Sequence, residues 1–292
     1  MSEERIAELP CWRGGVRIEP LGGGITNRNF VVDDDAGRWV ARIAEDLRAL
    51  GIDRANELAC QRAAAALGIA PAIVYHEPGV LVSEFVEGRT LTPQDVREPA
   101  VIERLAKLLR QLHDARDLLV GEFLYFCPFQ TVRTYAETAR RLGARLPARI
   151  DELLDDSRVL SLRVRPFRPS LCHDDLLAAN ILEAGDRLWL VDWEYGGMGN
   201  ALFDVAGVAG NCAFDPATER RLLDAYLDSP SPDALAVALD ETKILKAVSL
   251  LREALWAVIQ GAISRIEFDY SAYARDNLAA YEHARAQLER AR

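Results

Sequence analysis

The spacing of apolar residues changes character near residue 88. Before it, short apolar runs with period-two alternation read as strands over 16–20, 30–32, 38–43, 73–75 and 80–85. The turn clusters Asp33-Asp34-Asp35-Ala36-Gly37 and Glu77-Pro78-Gly79 separate neighbouring runs, which predicts antiparallel hairpins. One helix is predicted among these strands, over 53–67, with Gly68 as its stop. Beyond residue 88 the period becomes helical: Val101, Leu105, Leu108, Leu109 and Leu112 share one face of a helix over 101–113. Further helices are predicted over 131–142, 217–227, 242–264 and 272–291, with a single strand-and-loop segment at 171–192. The pattern predicts an α+β chain with a small antiparallel β-sheet lobe at residues 1–87 and a larger, mainly helical lobe at 88–292. No internal repeat is visible.

Composition narrows the class without changing this layout. Half of the 292 residues are hydrophobic and 27% are charged, as in ordinary globular chains able to bury a core unaided. The net charge of −10 excludes a general nucleic-acid binder, which needs a basic footprint for phosphates. The five cysteines are scattered, and neither CxxC nor Cys/His metal spacing occurs, so no disulfide or zinc framework is expected. The acidic start lacks an apolar h-region, and no run approaches the ~18 apolar residues of a membrane span. The expectation is a cytoplasmic protein. No sequence feature sets an oligomeric state.

Chemistry concentrates in His173-x-Asp175-x4-Asn180, followed by the apolar run 188–191 that ends at Asp192. Phosphoryl transfer needs a carboxylate to take the acceptor's proton and oxygen ligands for magnesium ions that bridge the phosphates. Protein kinases space their catalytic Asp and Asn in this way and place a further metal-binding Asp at a later strand end. One such residue alone would cap a turn. All three together, with the strand between them, make Asp175 the candidate base and Asn180 and Asp192 candidate magnesium ligands. His173 is assigned to orienting that loop, and His113, beside a carboxylate, to capping its helix.

Two N-terminal features supply the nucleotide side. In Leu21-Gly22-Gly23-Gly24-Ile25-Thr26-Asn27, glycines between two strands let backbone N–H groups approach phosphate oxygens, which marks Gly23, Gly24, Thr26 and Asn27. Neither the protein-kinase GxGxxG nor a Walker A sequence is present. In Val40-Ala41-Arg42-Ile43, Arg42 stands where kinases place lysine, and a pair with Glu57 on the next helix would hold phosphate oxygens.

The ordered set resembles the choline/ethanolamine kinase and aminoglycoside phosphotransferase superfamily, most of all its choline kinase branch. The matching segments are 21–30, Val-Ala-Arg-Ile at 40–43, Leu-Leu-Arg-Gln-Leu-His at 108–113, His-Asp-Asp-Leu-Leu-Ala-Ala-Asn-Ile-Leu at 173–182, Val-Asp-Trp-Glu-Tyr at 191–195, Phe203-Asp204 and 256–273. The resemblance implies a protein-kinase-like two-lobed fold that uses ATP and Mg2+. It implies an adenine hinge at 82–86, with Glu84 and Val86, and a supporting role for Glu194. It also implies an aromatic box for the acceptor's ammonium, held by cation–π attraction, with Tyr195, Trp256, Phe268, Tyr270 and Tyr273 as candidates.

Two positions depart from that pattern. Glu253 stands where a second tryptophan is usual, and Asn211 where an acid is usual. Glu253 would supply the negative charge missing at Asn211, which would suit a primary or less methylated amine. The expected acceptor is a small amino alcohol, choline or ethanolamine. Aminoglycoside or thiamine phosphorylation is the alternative enzyme activity, and a nucleotide-binding pseudokinase the alternative of another class.

Overall fold

The computed structural model describes residues 3–22 and 27–290. Helix α1 (Glu3–Ala7) precedes a five-stranded antiparallel sheet of β1 (Arg17–Leu21), β2 (Arg28–Asp34), β3 (Gly37–Ile43), β4 (Ile73–Glu77) and β5 (Val80–Glu84). Its order is β1-β2-β3-β5-β4, so the sheet grows by hairpins except where β3 pairs with β5. The β2–β3 turn is fixed by Asp34, whose Oδ1 accepts from the backbone of Ala36 and Gly37, both at 2.9 Å. These bonds and the Trp39 indole N–H hold the Asp34 carboxyl down at about 2. Alternate residues Phe30, Val32, Ala41, Ile43, Val80 and Val82 face Ile6 and Leu9 in a compact cluster.

Helix α2 (Arg54–Ala66) lies in the β3–β4 connection. Asp53 caps it by accepting from Ala55 and Asn56, and Gly68 takes the left-handed conformation (φ 71°) just beyond its end. After β5 the chain passes Gly88, where a Cβ would run into the Glu183 carbonyl. Only glycine permits that approach, which lets β6 (Arg89–Thr90) join β8 (Ile181–Ala184) and β9 (Arg187–Leu190).

The remainder is mainly helical: α3 (Pro93–Val96), α4 (Pro99–Asp114), α5 (Pro128–Arg141), α6 (Ile150–Ser161), α7 (Ala201–Asn211), α8 (Pro216–Leu227), α9 (Pro232–Ile263) and α10 (Tyr270–Arg290). The apolar period predicts α4, α5, α8, α9 and α10 but not α3 or α6. A two-stranded ribbon pairs β7 (Ser170–Cys172) with β10 (Gly197–Gly199). Helix α9 packs on α5, α7, α8 and α10 and is buried on most sides. It starts ten residues before the predicted 242, because Ser231 caps it and Pro232 fits its first turn. Helix α7 escaped the periodic reading. It is buried on nearly every face and contains Gly207, so no polar stripe marks it. Among the described residues no helix is long and apolar enough to cross a membrane.

Candidate active site

The loop that carries Asp175 leaves β7 and is held by a buried carboxylate on α7. Asp204 Oδ2 accepts from the His173 backbone N–H (2.8 Å) and Oδ1 from that of Asp174 (2.7 Å). His113 Nε2 lies 3.1 Å from the same Oδ2, and its Nδ1 lies 2.9 Å from the Tyr226 hydroxyl. An Nε2–H tautomer satisfies both contacts, with Tyr226 donating to Nδ1. His113 is thus a buried support for Asp204 and not the helix cap its position suggested: both ring nitrogens are taken by Asp204 and Tyr226. These donors keep the Asp204 carboxyl below the usual carboxylate range despite burial.

His173 orients the same loop from its other side. Its Nε2–H donates to the Val191 carbonyl at 2.9 Å, and its ring lies 4.8 Å from that of Trp193. Burial pushes the imidazole below its ordinary value, so the folded chain holds it neutral. The unfolded chain binds that proton below about pH 6.5, and this ring's share of stability is lost as pH falls through that window. His173 ring NMR shifts should accordingly keep their neutral-form values at pH 6.5, where an exposed histidine is about half protonated. A titration midpoint at or above that value would contradict the buried tautomer.

Around Asp175 the structure gathers Asn180 and Asp192 and, of the nucleotide-side residues marked in the sequence, Asn27, Arg42 and Glu57. Asn180 donates from Nδ2 to the Asp175 carbonyl at 2.9 Å, which leaves its Oδ1 as an acceptor. The Val191 amide bonds to the Asn180 carbonyl at 3.0 Å, and Asp192 follows in a left-handed conformation (φ 66°). Arg42 reaches Asp192 Oδ1 at 3.0 Å and pairs with Glu57. Glu57 also receives Arg54 at 2.7 Å, and Arg54 continues to Glu194 at 3.1 Å and Asn27 at 2.9 Å. Asn27 closes the ring by donating to Glu194 at 2.9 Å. Sequence reasoning missed Arg54 and gave Asp204 no role. The only local hint for Arg54 was its place three residues before Glu57 on a helix.

Burial pushes the Asp175 carboxyl up to about 7 and that of Asp192 to about 8, the latter reinforced by Glu194. Acids crowded in this way favour a compensating cation. Asn180 Oδ1 and the Asp192 carboxylate are hard oxygen donors, a set suited to magnesium. Glu84 lies apart at the exposed end of β5, and Val86 is half-buried just beyond it. Gly23, Gly24 and Thr26 lie outside the described residues.

The residues marked for the acceptor cluster around the C-terminal half of α9 and the start of α10. The Trp256 indole N–H donates to the Tyr195 hydroxyl at 3.1 Å. Trp256, Tyr270, Phe268 and Tyr273 form a closed edge-to-face ring, with neighbouring centroids 5.0 to 6.0 Å apart. Phe268 is 42% exposed while Trp256 and Tyr270 are buried. Glu253 is not the free negative charge its sequence position suggested. Arg252 Nη2 donates to its Oε1 at 2.7 Å, and the Tyr273 hydroxyl to its Oε2 at 3.0 Å. Arg252 itself was not foreseen. Asn211 does not line the box either: it donates to the Leu176 carbonyl at 3.0 Å and braces the loop after Asp175. A cavity of about 450 Å³ opens on Glu194 and Tyr195 beside the start of α5.

The model of a phosphotransferase enzyme family matches residues 17–239. A probable choline kinase 3 of Arabidopsis thaliana is 25% identical, over 91% of this chain and 86% of its own length. A probable ethanolamine kinase of the same plant is 27% identical, over 88% of this chain and 76% of its own. Among solved structures, a choline/ethanolamine kinase family protein from Mesorhizobium loti superposes with a TM-score of 0.79 at 28% identity, covering 96% of this chain and 92% of that one.

Proposed function

Because the chain belongs to the phosphotransferase enzyme family and is a small-molecule kinase, we propose that it transfers the γ-phosphoryl group of ATP to the hydroxyl of a small amino alcohol, choline or ethanolamine. The observation that carries this reading is the joined set Asp175, Asn180, Asp192, Arg42 and Glu57, which unites a base, metal donors and a phosphate-binding cation. Residues 1–87 form the nucleotide lobe and 88–292 the catalytic and acceptor lobe. The adenine lies against 82–86, and the phosphates lie beside Arg42, with the glycine-rich segment 22–27 as a further contact. Asn180 and Asp192 would hold magnesium, which when bound would neutralise phosphate charge.

The acceptor oxygen forms a bond to the γ-phosphorus as its proton passes to Asp175, and the bond to the bridging oxygen of ADP breaks. Tyr195, Trp256, Phe268 and Tyr270 supply aromatic faces toward the amine and Glu194 contributes negative charge, while Glu253 is spent on its pair with Arg252. Steady-state kinetics with choline, ethanolamine and the intermediate methylated amines test the reading. Saturable turnover is expected for at least one of them, with kcat/KM varying with methylation. Turnover of an aminoglycoside or thiamine alone, or of nothing but ATP and water, would overturn it.

A further inference from the structure

We propose that Arg252 is a positioning residue for the transfer, clamping the Asp175 carboxylate by Oδ1 so that Oδ2 is the oxygen offered to the acceptor. This rests on the reading of Asp175 as the base. The loop around Asp175 has no regular structure between Cys172 and the 3-10 turn Ala178–Asn180, and the backbone alone leaves the carboxylate free to rotate. Arg252 removes that freedom. Its Nη2 donates to Asp175 Oδ1 at 2.6 Å and its Nη1 to the Asp174 carbonyl at 2.8 Å. Among the described residues no donor reaches Asp175 Oδ2.

The clamp is itself anchored. Arg252 Nε and Nη2 donate to Glu253 Oε1 at 3.2 and 2.7 Å, and Tyr273 on α10 bonds to the other oxygen of Glu253. The guanidinium lies over the Tyr195 ring at 5.1 Å and the Phe126 ring at 5.8 Å. Arg252 is only 3% exposed, so an incoming acceptor meets a fixed fork. A lysine could not span Asp174, Asp175 and Glu253 at once, because an ammonium is a point charge without the planar fork.

This changes the meaning of Glu253. Where a second aromatic wall is expected, the chain carries an acid–arginine pair, whose acid holds the arginine and whose arginine holds the base. The competing account is a buried ion pair that merely ties α9 to the loop. That account predicts lost stability with catalysis per folded molecule intact.

The test compares wild type, Arg252→Ala, Arg252→Lys and Glu253→Gln with whichever amine supports turnover. Readouts are kcat, KM for ATP, and the thermal midpoint with and without an ATP analogue. Arg252→Ala should lose kcat by about 100-fold, the scale of an ångström-sized misplacement, with KM for ATP within about threefold of wild type. Millimolar guanidinium should restore part of that kcat saturably in Arg252→Ala but not in Asp175→Asn, and Arg252→Lys should recover less than a tenth of wild-type kcat. A folded Arg252→Ala enzyme with kcat within about threefold of wild type, or a deficit that guanidinium leaves untouched, overturns the proposal. If Arg252→Ala shows no nucleotide-induced thermal shift, Glu253→Gln decides: a kcat loss of about tenfold supports the clamp and an unchanged kcat overturns it. If wild type uses no amine, the acceptor reading fails separately, and the same ratios are read on slow ATP hydrolysis.

Discussion

Asp175→Asn is expected to lower kcat for phosphoryl transfer by about 10³-fold while leaving ATP affinity within a few-fold of wild type. The substitution is isosteric. Its carbonyl oxygen can still accept from Arg252 Nη2, which reaches Asp175 Oδ1 at 2.6 Å in the wild type. What it loses is an atom able to take the acceptor's proton. ATP contacts are proposed to come from Arg42, the glycine-rich segment 22–27 and the 82–86 segment. Calorimetric titration of an ATP analogue, run beside steady-state kinetics, separates the two effects. Burial holds the Asp175 carboxyl up at about 7. A raised carboxyl disfavours the folded state as pH climbs through that value, so without magnesium at pH 8 the variant should melt no lower than wild type. A kcat within about tenfold of wild type would move the base to another residue.

The two halves of the site differ in how far the sequence reveals them. Asp175, Asn180 and Asp192 sit on one continuous segment, so their spacing carries their geometry. Arg42 and Glu57 lie on consecutive elements of one small sheet unit and were likewise legible. Arg252 reaches Asp175 across 77 positions, Arg54 reaches Glu194 across 140, and His113 reaches Asp204 across 91. No local period or motif encodes such contacts, because each depends on how helices from distant parts of the chain pack. Glu253 shows the opposite hazard. Consecutive helix residues do not face each other, so helical spacing gives no reason to pair it with Arg252. The long arginine stem nevertheless curls back to it while reaching the catalytic loop. The fold follows the same division: the hairpins, α2 and five of the later helices were readable, α6 was missed although one of its faces is apolar, and α7, enclosed on nearly all sides, carries no polar face to betray its period.

That enclosed helix sets the second large effect. Asp204→Ala is expected to destabilise the folded chain by about 3–5 kcal/mol, the range for removing one partner of a buried charged network. Three donors converge on this carboxylate: the amides of His173 and Asp174 and the His113 ring. Alanine leaves all three buried without an acceptor, and the loop bearing Asp175 keeps only the Asn211 bond to Leu176 as a side-chain tie to α7. Asparagine is no rescue, because both carboxylate oxygens are used and its amide would turn a donor toward a donor. Urea unfolding of Asp204→Ala should therefore show a lower midpoint at an unchanged m-value, and Asp204→Asn should fall nearer to alanine than to wild type. His113→Gln, which can still donate to Asp204, should lose less, about 1–2 kcal/mol, since two of the three donors remain in place. If Asp204→Ala lost less than about 1 kcal/mol, water or another side chain would be satisfying those amides, and Asp204 would not be what holds the catalytic loop.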